Sequence, residues 1–197
     1  METSINHKEY TCFFTGHRQL PTKRLDQIYD LLIQSIVTLI EEKGVTDFIA
    51  GGALMGVVSA VLRFAGYNPV NEVTDFIAGG ALGFDTMAAE AVIALREKYP
   101  FIKLHLYLPC YNQCKKWNYN DQYMYRIIMS KADDYIYVTE GRYTYDCMHK
   151  RNRRMADDSY YCICYCATDR SGTGVTVRYA EQKGIYIDNI CETLYGI

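Results

Sequence analysis

The sequence predicts an α/β fold in which a mainly parallel sheet is covered by helices on both faces. Short apolar runs rich in β-branched and aromatic residues alternate with longer amphipathic stretches. This alternation is typical of parallel strands joined by crossover helices. The length of 197 residues suits one such domain with its own hydrophobic core. We therefore predict a single three-layer α/β/α sandwich spanning residues 1–197.

The same alternation predicts the individual elements. Strands are expected at residues 10–15, 75–78, 103–108, 134–139, 160–165 and 185–187. Helices are expected at residues 22–43, 84–99, 118–130, 148–157 and 174–183. In the first helix, apolar side chains recur at steps of three and four residues, so one face of this helix should pack on the sheet.

A duplicated segment interrupts this regular pattern. Residues 45–54 recur without a change at residues 73–82, and the stretch between the copies is apolar on nearly every side. Only the second copy continues through Gly83, Phe84 and Asp85 into a helix. We predict that the second copy forms the interior strand and that residues 45–72 are an insertion. The inserted helix would cover a sheet edge, form a subunit contact in a homo-oligomer, or be a poorly ordered excursion.

Composition narrows the classes of partner and compartment. The chain has 21 Lys and Arg against 23 Asp and Glu, a net charge of −2. This balance predicts no broad basic surface, so it disfavours nucleic acid and anionic membranes as partners. The polar N-terminus lacks the apolar core of an export signal, and the longest apolar stretch is too short to span a bilayer. We predict a cytoplasmic protein.

The eight cysteines are predicted to be reduced thiols. Cys162, Cys164 and Cys166 alternate along a predicted strand, which is typical of core positions. Cys110 and Cys114 have no second Cys or His pair at the spacing of zinc ligands. We therefore predict no bound metal and no required cofactor.

Three loops that follow predicted strands carry the residues expected at a ligand site. In a parallel α/β sheet, the carboxyl ends of the strands open onto a crevice where helix N-termini present free N–H groups to an anion. Each loop taken alone has a simpler explanation as a glycine turn or a hydroxyl N-cap. The candidate ligand-binding residues are Thr15, Gly16, His17 and Arg18 in the first loop, Gly79, Gly80, Ala81, Gly83 and Asp85 in the second, and Ser171, Gly172, Thr173, Gly174 and Thr176 in the third.

Further candidates lie outside these loops. Trp117 follows the third predicted strand and is the better single candidate for a base or ribose contact, because the many tyrosines are more often core or interface residues. The basic run at residues 150–154 points in several directions on a helix, which favours a solvated face for its arginines. Asn152 or Arg153 could still turn towards the crevice.

The order and spacing of several motifs resemble the SLOG superfamily, named for the Smf/DprA and LOG proteins, and within it the YpsA-like branch of bacterial proteins. The matching pieces are Phe14-Thr15-Gly16-His17-Arg18, the run from Phe76 to Asp85, Ala88-Ala89-Glu90, Lys150-Arg151-Asn152, Ser171-Gly172-Thr173-Gly174 and Tyr179-Ala180-Glu181.

This resemblance implies a Rossmann-like fold and a nucleotide-derived small molecule as the ligand, with the three loops around it. It also bears on catalysis, because LOG proteins use a glutamate after their phosphate loop to hydrolyse nucleoside monophosphates. The equivalent place here falls at Arg178 or Tyr179, so that glutamate is missing.

Three functions therefore remain open. The first is a sensor or sequestering module that binds a nucleotide-type ligand. The second is a hydrolase of a glycosidic bond, for which Asp85, Glu90 and Asp169 are the candidate carboxylates. The third is a DNA-associated protein, which the net charge disfavours.

Overall fold

The computed structural model describes residues 8–42 and 73–196. Its centre is a six-stranded sheet in the order β4-β3-β2-β1-β5-β6, and every neighbouring pair of strands is parallel. The strands are β1 (Thr11–Gly16), β2 (Asp75–Ala78), β3 (Lys103–Leu108), β4 (Asp134–Tyr137), β5 (Tyr161–Tyr165) and β6 (Tyr186–Asn189).

Helices cover both faces of this sheet. Their bounds are α1 (Leu25–Glu42), α2 (Phe84–Leu95), α3 (Tyr119–Lys131), α4 (Cys147–Asp157), α5 (Gly172–Gln182) and α6 (Ile190–Tyr195), with short 3-10 turns at Lys8–Tyr10 and Thr22–Arg24. One apolar layer joins α1, α2, α3 and α6 to the sheet, and the other joins α4 and α5 to it. The predicted Rossmann-like α/β/α sandwich is confirmed.

Alternation along the strands explains the two apolar layers. Phe13 and Phe14 are both fully buried, but they point to opposite faces because successive strand residues do so. Phe14 stacks on Phe76 in the layer that contains α1. Phe13 packs with Ile77 in the layer that contains α4 and α5. Near-continuous burial of β1 and β5 is typical of parallel strands covered on both sides.

The second copy of the duplicated segment provides β2, which lies between β1 and β3. Val73 is buried, and its amide donates to the Leu39 carbonyl at 3.4 Å, so β2 begins close to the last turns of α1. The first copy, residues 45–54, and the predicted extra helix lie outside the described residues.

The eight cysteines are free thiols, and six of them are buried. Among the described residues, no His, Cys, Asp or Glu side chains come together as a metal-ligand cluster. Within the same residues, no helix is long and apolar enough to cross a membrane.

The chain changes direction across the sheet at one position. After β1 it proceeds outward to β4, and it then returns to place β5 on the other side of β1. The chain therefore leaves β1 towards one helix layer and leaves β5 towards the other. Such switch points are where open α/β sheets form ligand crevices.

Candidate functional site

A cavity of about 520 Å³ lies at the carboxyl edge of the sheet. Its wall comes from the loop after β1, the glycine-rich loop and first turns of α2, and the segment that leads into α3. Six of the predicted ligand residues line it: Arg18, Gly80, Gly83, Asp85, Glu90 and Trp117. Its volume falls within the range of small-molecule sites in proteins.

The charged side chains of this cavity are one arginine and three carboxylates. Arg18 is exposed at the end of the first loop, and Glu90 is half-buried on α2. Burial raises the pKa of the Glu90 carboxyl above its ordinary value. Asp121 adds a third carboxylate to those of Asp85 and Glu90; it lies in the first turn of α3, where it accepts a hydrogen bond from the Asn118 side chain at 2.9 Å.

Trp117 gives the cavity an aromatic wall. Its ring packs edge-on against Tyr125, with ring centroids 5.5 Å apart and planes at 80°. Leu20 and Met124 add apolar surface to the same cavity. A few polar groups within a largely apolar wall are typical of sites for organic ligands.

The glycine-rich loop after β2 serves the protein's own carboxylate. Asp85 is buried and accepts hydrogen bonds from the backbone amides of Gly79 and Ala81 and from Arg151 Nη1 at 3.2 Å. Burial raises the pKa of Asp85, and the Arg151 charge and these hydrogen bonds oppose that rise. The amide groups expected to approach a ligand phosphate are therefore turned towards Asp85.

Two glycines of this loop are required by its packing. A Cβ at Gly79 would overlap the Arg151 guanidinium, so the close approach of Arg151 depends on that glycine. Gly80 has a φ of +62°, and a Cβ there would lie 2.6 Å from Leu108 Cδ2. A side chain at Gly80 would therefore meet the protein itself, although Gly80 also lines the cavity.

His17 joins the first loop to the loop after β5. Its Nε2 accepts a hydrogen bond from the Ala167 amide at 2.9 Å, and its own amide donates to the Tyr165 carbonyl at 3.3 Å. Burial lowers the pKa of His17, which favours the neutral ring that this contact needs. His17 is one of the predicted ligand residues, but its Nε2 lone pair is used within the protein.

The remaining first-loop candidates lie in or beside β1. Thr15 is buried within the strand, next to Cys164 of β5. Gly16 ends the strand, where it allows the Phe84 side chain to approach closely.

The third loop lies outside the wall of this cavity. Ser171 caps α5, since its hydroxyl accepts from the Gly174 amide at 3.0 Å and donates to the Thr168 carbonyl at 2.8 Å. Gly172 and Thr173 are the first residues of α5, whose amides have no partner carbonyl within the helix. A Cβ at Gly172 would meet open space.

Asn152 and Thr176 contact each other instead of the cavity. Asn152 Nδ2 donates to Thr176 Oγ1 at 2.7 Å, which in turn donates to the Gly172 carbonyl at 3.0 Å. Both residues line a smaller groove of about 180 Å³ between α4 and α5. The predicted ligand residues therefore lie in three places: the main cavity, the loops that follow β1 and β5, and this groove.

Sequence reasoning missed two features of the site. Arg151 was assigned to a solvated face, but it is only 5% exposed because Asp85 draws it under the glycine-rich loop. Asp121 was not singled out, and its place in the first turn of a helix near Trp117 was the available signal. Arg153 is exposed, as predicted for the basic run.

The family model YpsA, which describes the YspA SLOG family, matches residues 67–187. The chain belongs to this family. The match includes β2 with its glycine-rich loop, the Trp117 segment and the third loop. It therefore supports the resemblance that the motifs indicated.

The chain is also similar to several curated proteins, in each case over only part of that protein's length. The SPbeta prophage-derived protein YoqJ of Bacillus subtilis is 32% identical over 112 residues, which are 51% of this chain and 66% of that protein. A UPF0398 protein of Bacillus pumilus is 34% identical over 73 residues, 37% of this chain and 39% of that protein. The UPF0398 protein YpsA of B. subtilis is 29% identical over 109 residues, 52% of this chain and 61% of that protein. The chain thus covers less than two thirds of each of these relatives.

Solved structures with the same fold include two DNA processing proteins A (DprA). The Streptococcus pneumoniae protein has a TM-score of 0.53 at 16% identity, covering 97% of this chain and 58% of that one. The Helicobacter pylori protein has a TM-score of 0.52 at 17% identity, covering 99% of this chain and 75% of that one, and it binds single-stranded DNA.

This likeness corrects the prediction that nucleic acid is a disfavoured partner. A protein with this fold binds single-stranded DNA. The net charge of −2 is a property of the whole surface and does not describe a local site. Net charge is therefore not a valid ground for excluding a nucleic-acid partner.

Proposed function

We propose that this chain binds a nucleotide-derived small molecule in the main cavity, as a sensor or sequestering module. One observation carries the proposal: an aromatic ring, a carboxylate and a guanidinium line one cavity of about 520 Å³ at the carboxyl edge of the sheet. Ligands of open α/β folds bind at this edge. Membership of the YspA SLOG family supports the same class of ligand.

Each polar group suits one part of such a ligand. Trp117 offers an aromatic face for a base, and Glu90 offers carboxylate oxygens for sugar hydroxyls. Arg18, at the end of the first loop, offers donors for a phosphate. These roles come from three successive strand ends, which explains why their residues are far apart in sequence.

The charges of the cavity favour a ligand with few phosphates. Glu90 and Asp121 line the cavity with Arg18, whereas the Asp85 charge is compensated by Arg151. Two like charges about 4 Å apart repel by roughly 4 kcal/mol at an effective dielectric constant near 20. A nucleoside or nucleoside monophosphate therefore fits this cavity better than a triphosphate.

A second candidate function is hydrolysis of a glycosidic bond, and the position of Glu90 favours it. Of the three carboxylates considered, Asp85 is held by Arg151 and two backbone amides, and Asp169 lies on the exposed third loop. Glu90 lines the cavity, and burial raises its pKa, as a general acid requires. It is the carboxylate to test for turnover.

Calorimetry with a nucleoside, its monophosphate and its triphosphate tests both functions. We expect the monophosphate to bind most tightly and Glu90→Gln and Arg18→Gln to weaken binding by about tenfold or more, the effect of losing a charged hydrogen bond. Glu97→Gln and Arg126→Gln are matched exposed controls and should bind normally. Release of free base would establish the hydrolase. Binding of a single-stranded oligonucleotide alone, with no binding of any mononucleotide, would reject the proposal.

A further inference from the structure

The groove between α4 and α5 is lined by several cationic and amide side chains. It measures about 180 Å³ and lies in the helix layer opposite to Trp117. His149 and Arg153 line it from α4, one helical turn apart, and Arg178 and Gln182 line it from α5 at the same spacing. The Asn152–Thr176 hydrogen bond joins the two helices beside these residues.

The pairing of charges distinguishes the groove arginines from their neighbours. Other basic side chains of these helices pair with carboxylates: Lys150 with Asp146 at 2.7 Å, Arg151 with Asp85 at 3.2 Å, Arg154 with Asp158 at 2.6 Å and, just after α5, Lys183 with Asp157 at 3.2 Å. Within the described residues, the structure pairs neither Arg153 nor Arg178 with a carboxylate. Of the arginines that lie within α4 and α5, the two without a carboxylate partner among the described residues therefore line the same groove.

Neighbouring contacts orient both guanidinium groups. The Arg153 guanidinium lies 5.5 Å from the centre of the Tyr179 ring, and Tyr179 also lines the groove. Arg178 Nη1 donates to the Asp169 carbonyl, which uses one of the five N–H donors of a guanidinium. Donors on both groups remain for a ligand, and the side chains are already partly ordered.

We propose that this groove binds a phosphoryl group through Arg153 and Arg178. Two guanidinium groups match the several oxygens of a phosphate monoester. A volume of about 180 Å³ is below the usual 300 Å³ or more of sites for larger ligands, so the groove suits inorganic phosphate or a small phosphate ester. This groove is separate from the main cavity. The phosphate proposal does not depend on the function proposed for the main cavity.

Calorimetric titration of the full chain with inorganic phosphate tests this site. We expect saturable binding that Arg153→Gln and Arg178→Gln each weaken by about tenfold or more. Arg126→Gln removes the same charge from α3 and should bind phosphate normally. Thermal unfolding of each variant checks that the fold is retained. Equal weakening in all three variants would show non-specific attraction and overturn the proposal, as would undiminished binding in both groove variants.

Two further experiments identify the chemical source of the phosphoryl group and the site at which it binds. An oligonucleotide of deoxythymidine supplies phosphodiesters, and its binding without any binding of inorganic phosphate would overturn the assignment to a phosphate monoester. Trp117 is the only tryptophan and lies in the other helix layer, so phosphate in the groove should leave its fluorescence unchanged. Phosphate binding that requires Glu90 or Arg18 would assign the ion to the main cavity and contradict the proposal.

Discussion

The Arg151 guanidinium lies 3.2 Å from the Asp85 carboxylate, and each residue is only 5% exposed. Arg151 belongs to α4 and Asp85 to α2, so the pair joins the two helix layers across the carboxyl edge of the sheet. Its position also orders the glycine-rich loop, since Gly79 and Ala81 donate their amides to the same carboxylate. The pair therefore holds one wall of the cavity in place.

Removing the arginine of this pair should cost the fold heavily. We expect Arg151→Met to lower the free energy of unfolding by about 3 to 5 kcal/mol, because it leaves an uncompensated buried charge on Asp85. Adding Asp85→Asn should recover part of this loss, since the amide oxygen still accepts from the loop. Urea denaturation measures both effects. Arg153→Met, on the exposed face of the same helix, should cost no more than about 1 kcal/mol. Equal losses for the two arginines would contradict the structural role of the pair.

A buried histidine between two carboxylates should make stability depend on pH. His105 Nε2 lies 2.8 Å from Asp75 Oδ1, and its Nδ1 lies 2.7 Å from Asp134 Oδ1. Burial opposes the charge of the ring, but the hydrogen bonds and charges of the two carboxylates outweigh it and raise the pKa of His105. For Asp75, burial acts to raise the pKa, but the hydrogen bonds from His105 and Thr74 lower it.

These pKa shifts define the pH range in which the contacts of His105 with the two carboxylates stabilise the fold. The raised pKa of His105 gives a stabilisation that is complete below its ordinary pKa of 6.5 and is lost as the pH rises through the folded value. The lowered pKa of Asp75 gives a stabilisation that is complete above its ordinary pKa of 3.8 and is lost as the pH falls through the folded value. The difference in unfolding free energy between wild type and His105→Gln should therefore be largest between about pH 4 and 6.5. His149→Gln makes the same substitution at an exposed position and is the matched control for the change of side chain itself.

Two glycines should respond in opposite ways to substitution by alanine. Gly80→Ala should destabilise the fold by at least about 1 kcal/mol, because alanine disfavours its positive φ and its methyl group would press on Leu108. Gly172→Ala should leave stability equal or raise it slightly, because its Cβ meets open space at the start of α5. Thermal unfolding compares the two. Gly172→Val then tests separately whether the third loop contacts the ligand. Unchanged ligand affinity would show that the ligand lies away from this loop.

Deleting residues 45–72 should preserve the fold. The deletion joins Gly44 to Val73 and leaves a single copy of the duplicated segment. Because the Val73 amide already contacts the Leu39 carbonyl at 3.4 Å, a short connection from the end of α1 can reach β2. We expect a soluble, cooperatively unfolding chain, as judged by circular dichroism during urea denaturation. An insoluble or non-cooperative product would show that the segment is an integral part of the core.

Local patterns predicted the sheet well, because burial on both faces leaves continuous apolar runs in the sequence. The strands at 75–78 and 103–108 have the predicted bounds, and those of β1 and β5 differ by one residue. The helix Ile190–Tyr195 was missed because six residues are too few to show a helical period. The predicted strand 134–139 ends at Tyr137, on an edge that is only half-buried.

Contacts between distant residues could not be predicted in the same way. Charge and spacing on one helix favoured solvent for Arg151, and only the packing of α4 beside α2 shows that Asp85 draws it inward. Similarly, the sequence predicted His17 as a ligand residue, whereas the neighbouring loop supplies the amide that donates to its Nε2. Such pairings depend on tertiary geometry, which single-sequence patterns do not encode.

Fluorescence of Trp117 tests the proposed ligand cavity most directly. It is the only tryptophan of the chain and lies in the cavity wall. Titration with ribonucleoside monophosphates should give a saturable change in its emission and protect it from quenching by acrylamide. Glu90→Gln should shift the midpoint to about tenfold higher ligand concentration, and Glu97→Gln should leave it unchanged. A tryptophan that acrylamide quenches equally with and without every nucleoside and nucleotide tested would contradict the account.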